Sequence, residues 1–231
     1  MREIVFDTET TGFKFSEGDR LVEIGCVELV NRVETGRTFH AYYNPERAMP
    51  PEALAVHGLD DQFLKDKAFF AEVVDELIAF LGDAPLVIHN AAFDIGFLNA
   101  ELERAGRPLI ARERMVDTLL IARRKHPGAS NRLDDLCARY AIDSSRRTKH
   151  GALLDAELLA EVYVELIGAR QAQLVLSQAA LPGRALGEPI IVRERPVPLL
   201  SRVTTEERAA HRAFVATLGD KAIWLEYVSL D

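Results

Sequence analysis

Strand-like segments come first in this chain and helices alternate with a short strand afterwards, an order that leaves few architectures open. The run Arg2 to Phe6 and the stretch Leu21 to Val30 are apolar and rich in β-branched residues, and Arg37 to Tyr43 reads as a third strand. From Phe69 to Leu81 the residues Phe70, Val73, Val74, Leu77, Ile78 and Leu81 recur with the period of a helix, which Gly82 stops. Pro85 to Ile88 is a short buried strand, Asp94 to Arg104 a helix ended by Gly106, and Leu133 to Tyr140 a further helix. From about Leu153 to about Leu176 the chain is rich in Ala, Leu and Glu with Gly168 as its only glycine, which predicts one long final helix. These elements predict an α/β fold, a mixed β-sheet flanked by helices.

The character changes after Leu176. Residues 177–200 carry Pro182, Pro189, Pro196 and Pro198 with two glycines, the composition of an extended, flexible linker. Beyond it, Thr204-Thr205-Glu206-Glu207 has the form of a capping box opening a helix that closes at Gly219, and Ile223-Trp224-Leu225 follows. The expected division is a domain over 1–176, a linker over 177–200 and a tail over 201–231. So short a tail cannot bury a core of its own, yet it holds Phe214, Val215, Leu218 and the only tryptophan, Trp224. It is read either as a surface for a partner or as a segment that folds back on the domain.

With 48% hydrophobic and 28% charged residues, the 231-residue chain has the composition of a globular protein with a sizeable core. No cationic and apolar leader is expected from the first residues, and no apolar run approaches the roughly 20 residues needed to cross a bilayer. Cys26 and Cys137 lie far apart without metal-ligand spacing. A cytoplasmic protein with no membrane association is the expectation. The net charge of −8 argues against wrapping nucleic acid in a broad basic surface. It remains compatible with nucleic-acid chemistry in which carboxylates hold divalent cations that face the phosphate.

Three short segments carry candidate chemistry. Asp7 and Glu9 are two apart at the end of a strand, so both carboxylates point to one side and can share a cation. Asp94 follows His89-Asn90-Ala91-Ala92-Phe93 in the first turn of a helix, where it serves either as a cap or as a ligand. In His150-Gly151-Ala152-Leu153-Leu154-Asp155 an aspartate on a helix is preceded by a histidine in a loop, after the basic stretch Arg146-Arg147-Thr148-Lys149. Each segment alone has an ordinary structural reading. Together they supply what a two-metal phosphodiester hydrolase needs, several carboxylates and a base that works near neutral pH. Oxygen-rich ligation suits Mg²⁺ or Mn²⁺ better than zinc.

The motifs DTETTG at 7–12, HNAAFDIGFL at 89–98 and HGALLDA at 150–156 resemble those of the DEDD exonucleases, in the branch marked by a histidine. That resemblance covers about the first 170 residues and implies a ribonuclease H-like fold. It also implies two divalent cations, Mg²⁺ or Mn²⁺, on Asp7, Glu9, Asp94 and Asp155, with His150 as general base. PEALAVHGL, starting at Pro51, resembles the family's substrate-contacting segment, so Glu52 and His57 join Asp7, Glu9 and Asp155 as candidates for holding the terminal nucleotide. Without the resemblance, Glu52 is a helix start and His57 a surface histidine. Residues between the motifs also resemble the proofreading (epsilon) subunits of bacterial replicative DNA polymerases. This implies 3′→5′ exonuclease activity on a single-stranded or frayed DNA 3′ end. It further implies a tail that ties the nuclease to the catalytic (alpha) subunit, and a small accessory (theta-like) partner. Gln171, Leu174 and Leu176 are similar to the anchors of a sliding-clamp-binding peptide, and equally to the amphipathic end of a helix. A free-standing exoribonuclease and an inactive adaptor bridging clamp and polymerase are the alternatives.

Overall fold

The computed structural model of the chain describes residues 1–147, 149–169, 203–219 and 223–226. The chain divides into two compact units, Met1–Val175 and Leu176–Asp231. The first is built on a five-stranded sheet of β1 (Arg2–Thr10), β2 (Leu21–Val30), β3 (Val33–Tyr42), β4 (Leu86–Ile88) and β5 (Met115–Asp117), in the order β3-β2-β1-β4-β5. β2 is antiparallel to β1 and β3, whereas β4 is parallel to β1 and β5 to β4. The β2–β3 hairpin turns on Asn31 and Arg32 at φ 52° and 70°, as a two-residue turn between right-twisted strands requires.

Strand alternation decides which helix covers which face. Ile4, Phe6, Ile24, Cys26, Leu86 and Ile88 pack with α3 (Phe70–Leu81) and α4 (Ala91–Arg104). Val5, Val27, Leu29 and Val87 point the other way and meet Ala156, Leu159, Ala160 and Tyr163 of α7 (Ala152–Leu166). With both faces covered, the central strands are apolar on both sides, which is why they read as continuous runs in the sequence. α5 (Thr118–Lys125) and α6 (Leu133–Tyr140) back α7 through Ala122, Leu136, Cys137, Leu158 and Val162.

Several boundaries differ from those the sequence suggests. β1 runs on through the polar residues to Thr10 because β2 pairs with it as far as Leu21, and β3 starts at Val33 rather than Arg37. α4 starts at Ala91, with Asn90 in the left-handed region as its cap, so Asp94 does not cap the helix. The last helix is shorter than expected and ends at Leu166, not near Leu176. Gly168 adopts φ 69°. Its N–H reaches Glu165 O at 3.1 Å and that of Ala169 reaches Val164 O at 2.9 Å, the Schellman motif that closes α7. α1 (Pro51–His57) begins where Glu52 reads as a helix start, whereas the short α2 (Asp61–Leu64), with β5 and α5, carries too little periodicity to be read from sequence.

In the second unit α8 (Thr205–Thr217) begins as the spacing predicts. The Thr204 hydroxyl accepts from Glu207 N–H at 3.2 Å and the Glu207 carboxylate from Thr204 N–H at 2.7 Å. Val215 is buried, while Phe214, Leu218, Ile223 and Trp224 are exposed. The expected linker and the residues Gln171, Leu174 and Leu176 lie outside the described residues. Among the described residues no helix is long and apolar enough to cross a membrane.

Candidate active site

Asp7 and Glu9 project from β1 on the face that carries Val5, the face covered by α7. Asp7 pairs across the sheet with Gly25. A Cβ on Gly25 would lie 2.2 Å from the backbone of Ala152 and Leu153, so this glycine lets the first turn of α7 rest directly on the sheet. Asp155, one turn in, thereby reaches the carboxylates of β1. Asp94 arrives from the opposite face. Thr8, pointing towards α4, donates its hydroxyl to Asp94 Oδ1 at 2.7 Å. The acids thus meet beyond the carboxyl end of β4, alongside the last residues of its parallel neighbour β1, near where open α/β sheets place their ligands. They line an open cleft of about 990 Å³ together with His150, Arg147, Arg123 and Arg132.

Clustered carboxylates of one sign, withdrawn from water, resist ionisation. Burial, followed by the charges of Asp94, Glu9 and Asp155, holds Asp7 well above the usual carboxylate range. Burial, then Asp155, pushes Glu9 up to about 8, and burial raises Asp94 to about 7. One ligand atom each from Glu9, His150 and Asp155 can be chosen so that all lie within 4.8 Å of one another. Two carboxylates and an imidazole at this spacing fit a divalent cation, whose charge relieves the repulsion between the acids; Asp7 and Asp94 line the same cleft outside that group.

His150 sits in the loop before α7, its backbone N–H bonded to Val56 O of α1 at 3.3 Å. Its half-exposed ring faces the acids, with Nδ1 3.2 Å from Asp155 Oδ2. Arg147, which the sequence shows only as one member of a basic stretch, is buried and grips Asp155 through two bonds of 2.5 and 2.7 Å. It also bonds Asp134. Although burial works against the charge, these carboxylates keep the pKa of Arg147 above its ordinary value.

α1 stands beside Glu9. Glu52 is exposed on its first turn, while His57, read from sequence as a surface side chain in the absence of a ligand, is buried at its end. His57 Nδ1 accepts from Leu59 N–H at 3.0 Å and Nε2 is buried without a hydrogen-bond partner. Burial holds its pKa below the ordinary histidine value. Glu52, His57, Phe13 and Phe93 line a second hollow of about 460 Å³ that shares Thr8, Glu9 and Phe93 with the main cleft. Gly25, Thr8 and Arg147 are the contributors that sequence reasoning missed. A glycine inside an apolar strand run signals close backbone approach, whereas nothing local marked Arg147 among its basic neighbours.

A mixed sheet with acids from β1, α4 and α7 and a histidine meeting at one strand end is the arrangement of a nuclease. Residues 4–163 match the exonuclease family RNase_T. The chain is 45% identical over 236 residues to DNA polymerase III subunit epsilon of Escherichia coli, across 96% of this chain and 97% of that one. It is 44% identical over 222 residues to the subunit epsilon of Rickettsia conorii, across 94% and 96%. Exonuclease X, solved in complex with 5′ overhanging duplex DNA, shares the fold with a TM-score of 0.57 at 24% identity, over 72% of this chain and 91% of that one. The chain belongs to the exonuclease family and, within it, to the epsilon subunits of DNA polymerase III.

Proposed function

We infer that this protein is the proofreading 3′→5′ exonuclease subunit of a replicative DNA polymerase and removes mispaired 3′-terminal nucleotides by metal-dependent phosphodiester hydrolysis. The observation that carries this reading is the convergence of Asp7, Glu9, Asp94, Asp155 and His150 on one open cleft. The four carboxylates would hold two divalent cations, Mg²⁺ or Mn²⁺, which when bound would neutralise charge at the phosphate and lower the pKa of a water. His150, on a half-exposed loop at the mouth of the cleft, takes the proton from that water. Thr8 orients Asp94 through its hydroxyl. Glu52 and His57 hold the sugar and base of the terminal nucleotide in the adjoining hollow, where the buried, unpartnered Nε2 of His57, its Nδ1 already accepting from Leu59, has a hydrogen bond to donate. Asp7, Glu9 and Asp155 would bear on the phosphate of the same nucleotide only through the cations they would hold.

The domain division belongs to this reading. The exonuclease domain spans 1–176, a linker 177–200 and a polymerase-binding tail 201–231. Exposed Phe214, Leu218 and Trp224 on the tail are the apolar anchors for the catalytic (alpha) subunit. Gln171, Leu174 and Leu176 engage the sliding clamp, and a small theta-like subunit binds the nuclease domain. A tether raises the local concentration of the nuclease at the primer end without holding it there, which suits an acidic protein with weak intrinsic affinity for DNA. Digestion of single-stranded and 3′-mispaired DNA by the purified chain, with and without Mg²⁺ or Mn²⁺, tests the activity. Faster hydrolysis of matched RNA than of DNA would favour a free-standing exoribonuclease, and metal-independent inertness an adaptor.

A further inference from the structure

Arg147 stands where a cation belongs. Its side chain is 7% exposed, and its guanidinium takes both oxygens of Asp155, at 2.5 and 2.7 Å. The same guanidinium places Nη2 2.6 Å from Nδ1 of His150. A guanidinium only donates, so at this contact Nδ1 presents its lone pair, and the Asp155 oxygen 3.2 Å from the same nitrogen is then a close approach without a hydrogen bond. In this arrangement one side chain engages a proposed metal ligand and also occupies the free lone pair of the proposed base. Its third partner, Asp134 of α6, is different. Asp134 is 64% exposed and lies at the rim of the cleft.

We propose that Arg147 is a resident counter-ion of the metal-free enzyme, displaced towards Asp134 when divalent cations bind, and that its departure releases Asp155 and His150 for catalysis together. Three considerations support it, given the metal site described above, on which the inference rests. A buried carboxylate cluster needs compensating positive charge, and Arg147 supplies it at 2.5 and 2.7 Å from Asp155. A divalent cation on Asp155 would sit beside the guanidinium, and like charges at that distance repel. Asp134 gives the released guanidinium a solvated carboxylate, so leaving the cluster does not strand a buried charge. Arg147 is on this account a positioning residue that sets metal affinity and the availability of the base, and never touches the scissile bond.

The test uses the full chain and Mn²⁺ or Mg²⁺ alone. Isothermal titration of metal-free protein with Mn²⁺ should show Arg147→Met binding about tenfold more tightly than the parent, with Arg147→Lys in between. It should also show a lower metal-free Tm that Mn²⁺ restores to the parent value. An arginine with a merely structural role would give the opposite, weaker binding as the site loosens. Equal or weaker Mn²⁺ affinity in Arg147→Met overturns the inference. Should that variant fail to fold, side-chain ¹⁵N spectra of the parent decide. The slowly exchanging Arg147 guanidinium signal, assigned by its loss in Arg147→Lys, should vanish or shift on saturation with Mg²⁺. A signal unchanged at saturation overturns the inference while leaving the metal site standing. Absence of any metal binding to the parent overturns the metal site itself.

Discussion

Two arginines in this protein grip buried carboxylates in the same forked geometry, and their surroundings give them opposite roles. Arg20, at the start of β2, bonds Glu101 of α4 at 2.7 and 3.0 Å. There Arg104 adds a bond of 3.0 Å and Leu21 N–H one of 3.4 Å, so donors outnumber the buried acid. Arg147 bonds Asp155 just as closely, but Asp7, Glu9 and Asp94 crowd the same cleft and acid outweighs base. The first fork is complete and fastens a helix to a strand. The second leaves more carboxyls than one guanidinium can satisfy, and acids that resist ionising beside one another give a cation a place to bind. Fork geometry alone does not reveal a functional role; the local balance of charge does.

The comparison breaks most visibly if the acid-rich side is altered. Asp7→Asn or Asp94→Asn should lower hydrolysis of single-stranded DNA by more than about 100-fold, beyond the roughly 10–100-fold typical of losing an outer-shell partner of a metal. Melts of the metal-free variants should match or exceed the parent, because a repelling charge has been removed. Near-normal turnover in both variants at saturating Mg²⁺ would end the assignment. Next in size, His150→Ala should lower kcat by about 10²–10⁴-fold, the usual range for a lost general base. Mn²⁺ titration of the same variant should change far less than turnover. A loss of metal binding that accounts for the whole effect would recast His150 as a ligand.

On the base-rich side the effect should be on stability instead. Glu101→Ala leaves Arg20 without its main partner and should cost about 3 kcal/mol, the lower end of the range for breaking a buried pair because Arg20 keeps some contact with water. Specific activity per folded molecule at low temperature should stay at the parent level. Denaturant unfolding with parallel DNA digestion checks both halves, and lost activity in the folded variant would erase the contrast.

A smaller effect sharpens the comparison through pH. Glu9 and Asp94 titrate in the folded protein near about 8 and about 7, and Asp7 is also raised. Unfolded carboxylates titrate near roughly 4. Between these values the folded state holds more protons than the unfolded one, so metal-free stability falls as pH rises from about 4 to about 8. Metal-free Tm should fall steadily across that interval, each kcal/mol lost lowering it by roughly 2–4 °C in a chain of this size. Mg²⁺ should restore more at the upper end than at the lower, and a flat profile would mean that the acids are not crowded. Least of all should happen on truncation near Ala180. Digestion of single-stranded DNA should be unaltered, while co-elution with the polymerase catalytic subunit is lost. Equal co-elution of truncated and full-length chains would remove the tail's role.

Much of this was legible in the chain because the relevant signals are local. Asp7 and Glu9 share a face because strand side chains alternate, and Thr204 and Glu207 cap a helix because four consecutive residues suffice to build the box. The amphipathic period of α3 and the glycine after it are likewise properties of a dozen neighbours. Composition misled where one backbone angle overrode it, as at Gly168, whose left-handed φ ends α7 ten residues earlier than propensity suggests.

What only the tertiary structure decided is how residues far apart in the chain meet. Gly25 admits the first turn of α7 to the sheet and so delivers Asp155 to Asp7, a contact between segments more than a hundred residues apart. Thr8 turns to the opposite face and collects Asp94. His57 becomes buried because α1 folds against the end of β1, beside Glu9 and Thr10. Arg147 acquires its place from Asp155 on one side and Asp134 on the other, although nothing in its own neighbourhood separates it from Arg146. Periodicity and capping are set within a few residues and can be read along the chain. Charge balance and close backbone approach are properties of three-dimensional neighbours, so they came into view only with the fold.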